Sequence, residues 1–105
     1  MNYRERLDII ADILGVANPR AKKTKIMYQA NLSYKILLKY LGELIEASLL
    51  EFENEQQFYM LTQKGQDFLQ VYEKYSRTNK SIEPYLDNIR TTKKRLEDLC
   101  SSNQL

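Results

Sequence analysis

Apolar residues recur three or four positions apart at the start of the chain, which is the spacing of one face of an α-helix. The pattern over residues 7–14 predicts a first helix that begins near residue 3. Asn2 followed by Glu5 resembles a capping box, and Gly15 offers a stop. The first element is therefore expected to be a helix over about residues 3–15.

A turn and a short second helix are predicted next. Asn18 followed by Pro19 is a turn signal. Thr24 is the expected N-cap of a helix over about residues 25–30, because its hydroxyl can accept a hydrogen bond from a free N–H group of the first turn.

A third helix is predicted to follow a tight turn. Ser33 is its expected N-cap, Leu32 can pack onto Leu37 one turn inside, and the helix should end near Ala47 or Ser48. The expected apolar face consists of Leu37, Leu41, Leu44 and Ile45, and the polar face of Lys35, Lys39, Glu43 and Glu46.

The pattern changes to a period of two after the third helix. Apolar and acidic residues alternate over 49–53, residues 54–57 are polar turn formers, and residues 58–61 are β-prone. This segment predicts a two-stranded hairpin. Thr62 is then the expected cap of a final helix.

The final helix carries heptad spacing without a slip. Alternating steps of four and three residues over more than four heptads predict a coiled-coil seam, which a helix in so small a domain can bury only against a partner. Asn79 and Lys93 are polar insertions of the kind that fix register. The seam consists of Phe68, Tyr72, Tyr75, Asn79, Ile82, Leu86, Ile89, Lys93, Leu96 and Cys100.

Pro84 argues against a continuous helix, because a proline in a helix interior removes a backbone hydrogen bond. The helix either kinks there or breaks and restarts with Ser81 as cap. The unchanged heptad register favours the kinked continuous helix. The heptads fit a parallel or an antiparallel pair.

The amino-acid composition limits which reactions and ligands the chain can support. The 105 residues include no histidine and a single cysteine, Cys100. Glu51 and Glu53 form an acidic pair, but no glycine-rich phosphate loop or nucleophile motif accompanies it. The sequence therefore predicts no enzymatic activity, no metal and no cofactor. The chain also lacks a run of apolar residues long enough for a membrane span or a signal peptide, which predicts a cytoplasmic protein.

The formal net charge of +2 is divided unevenly along the chain. Residues 1–40 hold eight Lys or Arg and three acids, and residues 41–62 hold five Glu and no basic residue. The basic part includes the predicted tight turn between two helices, and the acidic part includes the hairpin. The positive charge is therefore concentrated in the first 40 residues.

The order helix, helix, tight turn, helix, hairpin is that of a winged helix, a mainly α fold with a small β-hairpin. We therefore expect a winged helix-turn-helix domain over residues 1–66, a coiled-coil dimerisation helix over 67–101 and a frayed tail over 102–105. The order alone does not decide function, since winged helices also serve as protein-binding modules.

Three segments carry a more specific likeness: IMYQANLSY at 26–34, Tyr40-Leu41, and YMLTQKG at 59–65. They resemble the small archaeal winged-helix DNA-binding proteins of about ten kilodaltons, over about residues 5–72. The resemblance implies double-stranded DNA as the ligand, a homodimer joined by an antiparallel C-terminal coiled coil, a role in chromatin organisation or transcription regulation, and a nucleoid-associated place in the cytoplasm.

The resemblance also implies which residues contact DNA. The start of the recognition helix corresponds to Ser33, Tyr34 and Lys35, with Lys39 one turn on. The basic entry to the second helix corresponds to Lys22, Lys23 and Lys25. Independently of the resemblance, Arg20 can reach a phosphate from the loop after Pro19. Because helix N-termini and lysines both favour phosphate, this assignment agrees with the residue chemistry. Ser33 can also act as a cap alone, and the lysines can simply solvate a face.

The hairpin departs from this picture because Glu51, Glu53 and Glu55 would be repelled by phosphate. This repulsion disfavours contact between DNA and the hairpin, which is the wing of the predicted winged helix. The alternative function is a winged-helix interaction scaffold that does not bind DNA, in which the acidic hairpin binds a basic protein partner.

Overall fold

The computed structural model describes residues 4–101, so the predicted capping role of Asn2 and the predicted tail at 102–105 lie outside the described residues. The fold is mainly helical with one small antiparallel sheet, which confirms the predicted class. Its elements are α1 (Arg6–Val16), β1 (Arg20–Lys22), α2 (Lys23–Gln29), α3 (Tyr34–Glu46), β2 (Leu50–Glu53), β3 (Phe58–Leu61) and α4 (Gln63–Leu99).

Helix α1 begins with a capping box, but with different partners from those predicted. Glu5 is the N-cap, and the carboxylate of Asp8 accepts a hydrogen bond from the backbone N–H of Glu5 at 2.9 Å. Gly15 does not end the helix, which continues to Val16. The predicted end near residue 15 is therefore confirmed to within one residue, and Gly15 lies inside the last turn.

Strand β1 is the element that the sequence analysis missed. Its three residues pair antiparallel with β3, and only the central Ala21 is buried. Helix α2 consequently begins at Lys23, and its N-cap is Lys22 rather than Thr24. Three residues are too few for an alternating pattern to be recognised, and the polar ends of the strand made it look like a loop.

The turn between α2 and α3 was predicted correctly. Asn31 adopts a left-handed conformation with φ of 55° and reverses the chain after α2. The Oγ atom of Ser33 accepts a hydrogen bond from the backbone N–H of Ile36 at 3.3 Å, which confirms Ser33 as the N-cap of α3. Helix α3 ends at Glu46 with Ala47 as its C-cap, as expected.

The core lies between the three short helices and β2. Leu32 packs against it, and Leu37, Leu41 and Leu44 of α3 are buried as predicted. Ile45 is 39% exposed, so its assignment to the apolar face was wrong. Eight residues after Leu37 it lies about 80° around the helix, at the border of that face. The largest fully buried side chains are Ile13, Leu14, Ile26, Leu37, Leu44 and Leu50.

Strands β2 and β3 form the predicted hairpin, and β1 joins it on the other side of β3 to give the order β1-β3-β2. The hairpin turn is held by Glu53, whose carboxylate oxygens accept hydrogen bonds from the backbone N–H groups of Glu55 at 3.0 Å and Gln56 at 2.7 Å. One of the wing glutamates therefore has a structural role.

Helix α4 begins as predicted, because the Oγ1 atom of Thr62 accepts a hydrogen bond from the backbone N–H of Gly65 at 2.9 Å. A Cβ atom at Gly65 would lie 2.5 Å from the carbonyl oxygen of Leu49, so this turn requires glycine. The helix runs without a break through Pro84, which confirms the continuous helix over the broken one. The chain divides into two compact units after Glu73.

Candidate nucleic-acid interface

Strand β1 holds two basic side chains on one face of the sheet. The guanidinium carbon of Arg20 lies 5.0 Å from the centroid of the Phe58 ring, and the Nζ atom of Lys22 lies 5.7 Å from it. Both distances are within the range of a cation–π contact. The Phe58 ring on β3 therefore holds two positive charges together at the β1 edge of the sheet.

Lys23 and Tyr34 connect the first turn of α2 with the first turn of α3. The Nζ atom of Lys23 donates a hydrogen bond to the hydroxyl oxygen of Tyr34 at 3.2 Å and lies 5.1 Å from the centroid of its ring. Tyr34 remains 53% exposed. The structure therefore brings together two residues that the sequence analysis assigned separately to DNA contact.

The remaining predicted contact residues lie on exposed surfaces of α2 and α3. Lys25 is exposed in the first turn of α2, and Lys35 and Lys39 are exposed one turn apart on α3. No ion pair between residues 4 and 101 engages these three lysines. Ser33 is exposed too, but its hydroxyl is used as the cap of α3. Six basic side chains thus surround the start of α2 and one face of α3.

Two other basic residues among the first 40 bind groups of the protein itself, a structural role that the sequence analysis missed. Arg4 pairs with Asp12 at 2.9 Å and also donates to backbone carbonyl groups after α2. Arg6 pairs with Glu43 at 3.0 Å, and its guanidinium carbon lies 5.7 Å from the ring centroid of Tyr40. The positive charge of the early chain is therefore divided between structural arginines and a surface cluster.

The sheet separates opposite charges across its outer face. In the strand register, Arg20 is opposite Met60 and Met60 is opposite Glu51, while Lys22, Phe58 and Glu53 form the next row. Paired residues of neighbouring strands point to the same face. The outer face therefore has a basic edge on β1, an apolar centre on β3 and an acidic edge on β2.

The predicted dimer-interface residues divide between the two compact units. In the first unit, Phe68 packs against the core, its ring stacks on that of Tyr72 with centroids 6.2 Å apart, and the Tyr72 hydroxyl contacts the Asp8 carboxylate. In the second unit, the apolar seam residues are 39% to 62% exposed in the single chain. These are Tyr75, Ile82, Leu86, Ile89 and Leu96, and the polar seam residue Asn79 is exposed as well.

Within residues 4–101, no helix combines the length and the apolar character needed to cross a bilayer. The same part of the chain holds no cluster of three or more His, Cys, Asp or Glu side chains that could bind a metal ion.

Comparison with known proteins gives consistent matches. The winged helix-turn-helix family profile matches residues 3–80. An uncharacterized protein of Methanocaldococcus jannaschii is 39% identical over 75 residues, which are 70% of this chain and 35% of that protein. The chain thus spans about a third of the length of this curated relative.

Two solved structures share the fold. Sso10a-2, a DNA-binding protein from Sulfolobus solfataricus, superposes with a TM-score of 0.66 and 25% identity, covering 94% of this chain and 99% of that one. The transcriptional repressor CouR, bound to p-coumaroyl-CoA, superposes with a TM-score of 0.57 and 19% identity over 89% of this chain and 75% of its own.

Proposed function

Since the chain belongs to the winged helix-turn-helix family, we propose that it is a homodimer that binds double-stranded DNA. The observation that carries the proposal is the contact between Lys23 and Tyr34, which joins the basic start of α2 to the start of α3. The likeness to Sso10a-2, a protein described as DNA-binding, supports the same ligand.

Helix α3 is the element that enters the major groove in this proposal. Its first turn presents free backbone N–H groups and the positive end of the helix dipole, both of which favour a phosphate. Lys35 and Lys39 add charge on the exposed face, and Tyr34 offers a hydroxyl group and a ring beside them. Lysines bind phosphate without strict geometry, so we expect modest sequence specificity.

The acidic edge of the sheet turns away from the duplex in this arrangement. Glu51 and Glu53 lie on β2, with β3 between them and the basic side chains of β1. Phosphate repels carboxylate, so contact through α3 and β1 is compatible with a wing that does not touch the backbone. The proposed contact residues are Arg20, Lys22, Lys23, Lys25, Ser33, Tyr34, Lys35 and Lys39.

The homodimer is proposed to form through α4, whose exposed seam residues need a partner to leave water. Positions beside the seam favour an antiparallel pair. When the heptad positions are lettered a to g with Phe68 at d, Glu83, Arg90 and Glu97 occupy e positions, while the g positions carry no charge. In an antiparallel pair e faces e, so Glu83 of each copy can pair with Arg90 of the other. A parallel pair would place both residues opposite uncharged g side chains.

The cellular role that fits modest specificity is a transcription regulator or a chromatin-architectural protein. Such a protein acts by occupying or shaping DNA rather than by chemistry, so we propose no enzymatic activity. It would work in the cytoplasm, associated with the nucleoid. The −5 charge of residues 41–62 also supports a second candidate, in which the acidic edge binds a basic protein and DNA is not a ligand.

The deciding experiment measures binding of the purified protein to a labelled duplex of unrelated sequence across a salt series, with the mass determined in each buffer. We expect a species of twice the chain mass whose affinity falls log-linearly with salt, because bound lysines release counterions from DNA. Absence of binding at low salt would exclude the DNA-binding proposal and favour the scaffold.

A charge-reversal pair locates the contact surface. Lys35→Glu with Lys39→Glu should abolish retention of the duplex and leave the dimer mass unchanged. The control reverses two exposed lysines of α4, Lys80→Glu with Lys94→Glu, for the same change in net charge. Equal loss in both variants would mean that binding follows net charge and not the surface of α3.

A further inference from the structure

Gly42 lies in the interior of α3, where glycine does not stabilise a helix. It is the ninth of the 13 residues of α3, with a full turn of helix on either side. Glycine is an unfavourable residue in a helix interior, because it loses more conformational freedom on folding than any other residue. A glycine at such a position therefore needs a reason.

The fold itself supplies no reason. A Cβ atom at Gly42 would meet nothing within 4 Å, and no glycine in the described part of the chain has a positive φ. Gly65 is different, since a Cβ there would run into Leu61 and Leu49. Gly15 also faces open space, but it is next to the last residue of α1, where helix propensity matters less.

Gly42 lies on the same face of α3 as the two exposed lysines. It follows Lys39 by three residues and Lys35 by seven, so at 3.6 residues per turn the three positions fall within about 60° of one another. Leu37 and Leu41 of the same helix point into the core. The residue without a side chain is therefore on the surface that the proposed function turns toward DNA.

We infer that Gly42 lets the backbone of α3 come close to the sugar-phosphate backbone of the duplex a second time, about two turns beyond the phosphate contact of its first turn. The inference rests on the proposed function and extends it to a residue that carries no charge. Glycine is used where a backbone must come close to a ligand. A side chain at this position would hold α3 away from the groove and lengthen the contacts of Lys35 and Lys39 with phosphate.

The test compares Gly42→Ala with Gly15→Ala, two glycines that face open space in two different helices. Melting temperature and duplex affinity are measured for both variants in the same low-salt buffer. Gly42→Ala should raise the melting temperature, by about 4–8 °C if the full helix-interior effect of alanine is realised. It should weaken duplex binding about tenfold or more, as expected when one or two phosphate contacts are lost. Gly15→Ala should leave the affinity unchanged.

Side chains of increasing size at position 42 test whether this position contacts the duplex. Affinity should fall further from Gly42→Ala to Gly42→Leu, while both variants keep the dimer mass and the helical circular dichroism of the parent. Gly42→Ala that is more stable and binds duplex like the parent would overturn the inference and leave the proposed function standing. A lower melting temperature would overturn it too, because glycine would then serve the fold. A parent protein that binds no duplex would remove the proposed function itself.

Discussion

Arg4 and Ala30 are joined by a hydrogen bond in which an Nη1 N–H group donates to the carbonyl oxygen of Ala30 at 2.6 Å. The Nη2 group donates to the carbonyl oxygen of Asn31 at 2.9 Å, and Asp12 accepts from the same guanidinium at 2.9 Å. Both carbonyl groups lie at the end of α2, where a helix has no internal donors left. Arg4 therefore fastens the residues before α1 to the turn that leads into α3.

Removing this guanidinium should destabilise the fold. Arg4→Gln loses charged hydrogen bonds to two backbone carbonyls, which we expect to lower the free energy of unfolding by about 1–3 kcal/mol. Urea unfolding at one fixed protein concentration measures it, since the stability of a dimer depends on concentration. Arg6→Gln is the control, because the guanidinium of Arg6 is more exposed than that of Arg4 and donates to no backbone carbonyl of the described residues, so its loss should cost less. Equal losses would show that the carbonyl contacts of Arg4 add nothing.

Substitutions at Ser33 separate its role as a cap from a role in DNA binding. Ser33→Ala removes the acceptor for the Ile36 N–H and should cost about 1 kcal/mol of stability. Ser33→Asp retains a good cap but places a negative charge at the proposed phosphate site, so its stability should match the parent while duplex affinity falls. Thermal unfolding and duplex titration of both variants provide the readouts. Unchanged affinity of Ser33→Asp would remove Ser33 from the DNA surface.

Charge reversal at Glu83 and Arg90 tests the direction of the proposed helix pair. In an antiparallel dimer, Glu83→Arg places like charges opposite each other twice, which should raise the dissociation constant about threefold to tenfold. Combining it with Arg90→Glu should restore the parent value, because both pairs are rebuilt with exchanged signs. Sedimentation equilibrium over a concentration series measures the constants. A single variant that dimerises like the parent would contradict the antiparallel register.

The elements that the sequence predicted are those that local signals determine. Ser33 and Thr62 cap their helices because a hydroxyl and a free N–H three residues later are enough, whatever lies elsewhere in the chain. The heptad register predicted the continuity of α4 across Pro84 in the same way. The hairpin followed from an alternating pattern and a polar turn.

The features that the sequence did not predict depend on distant partners. Strand β1 exists because β3, more than 30 residues later, offers it an open edge, and three residues carry too little pattern of their own. Arg4 finds its partners 26 and 27 residues away, and those partners are backbone carbonyls that every residue type possesses. The basic surface was predictable as a set of residues, but the contact of Lys23 with Tyr34 needed the fold.

The division of charge across the three-stranded sheet makes that face an electric dipole. Neighbouring strands are about 4.8 Å apart, so the basic and acidic edges are separated by roughly 10 Å. In the field of a polyanion such a dipole experiences a torque before any contact is made. The torque turns Arg20 and Lys22 toward the polyanion and Glu51 away from it. The protein would then reach a duplex already aligned, and added salt would shorten the distance over which this alignment acts.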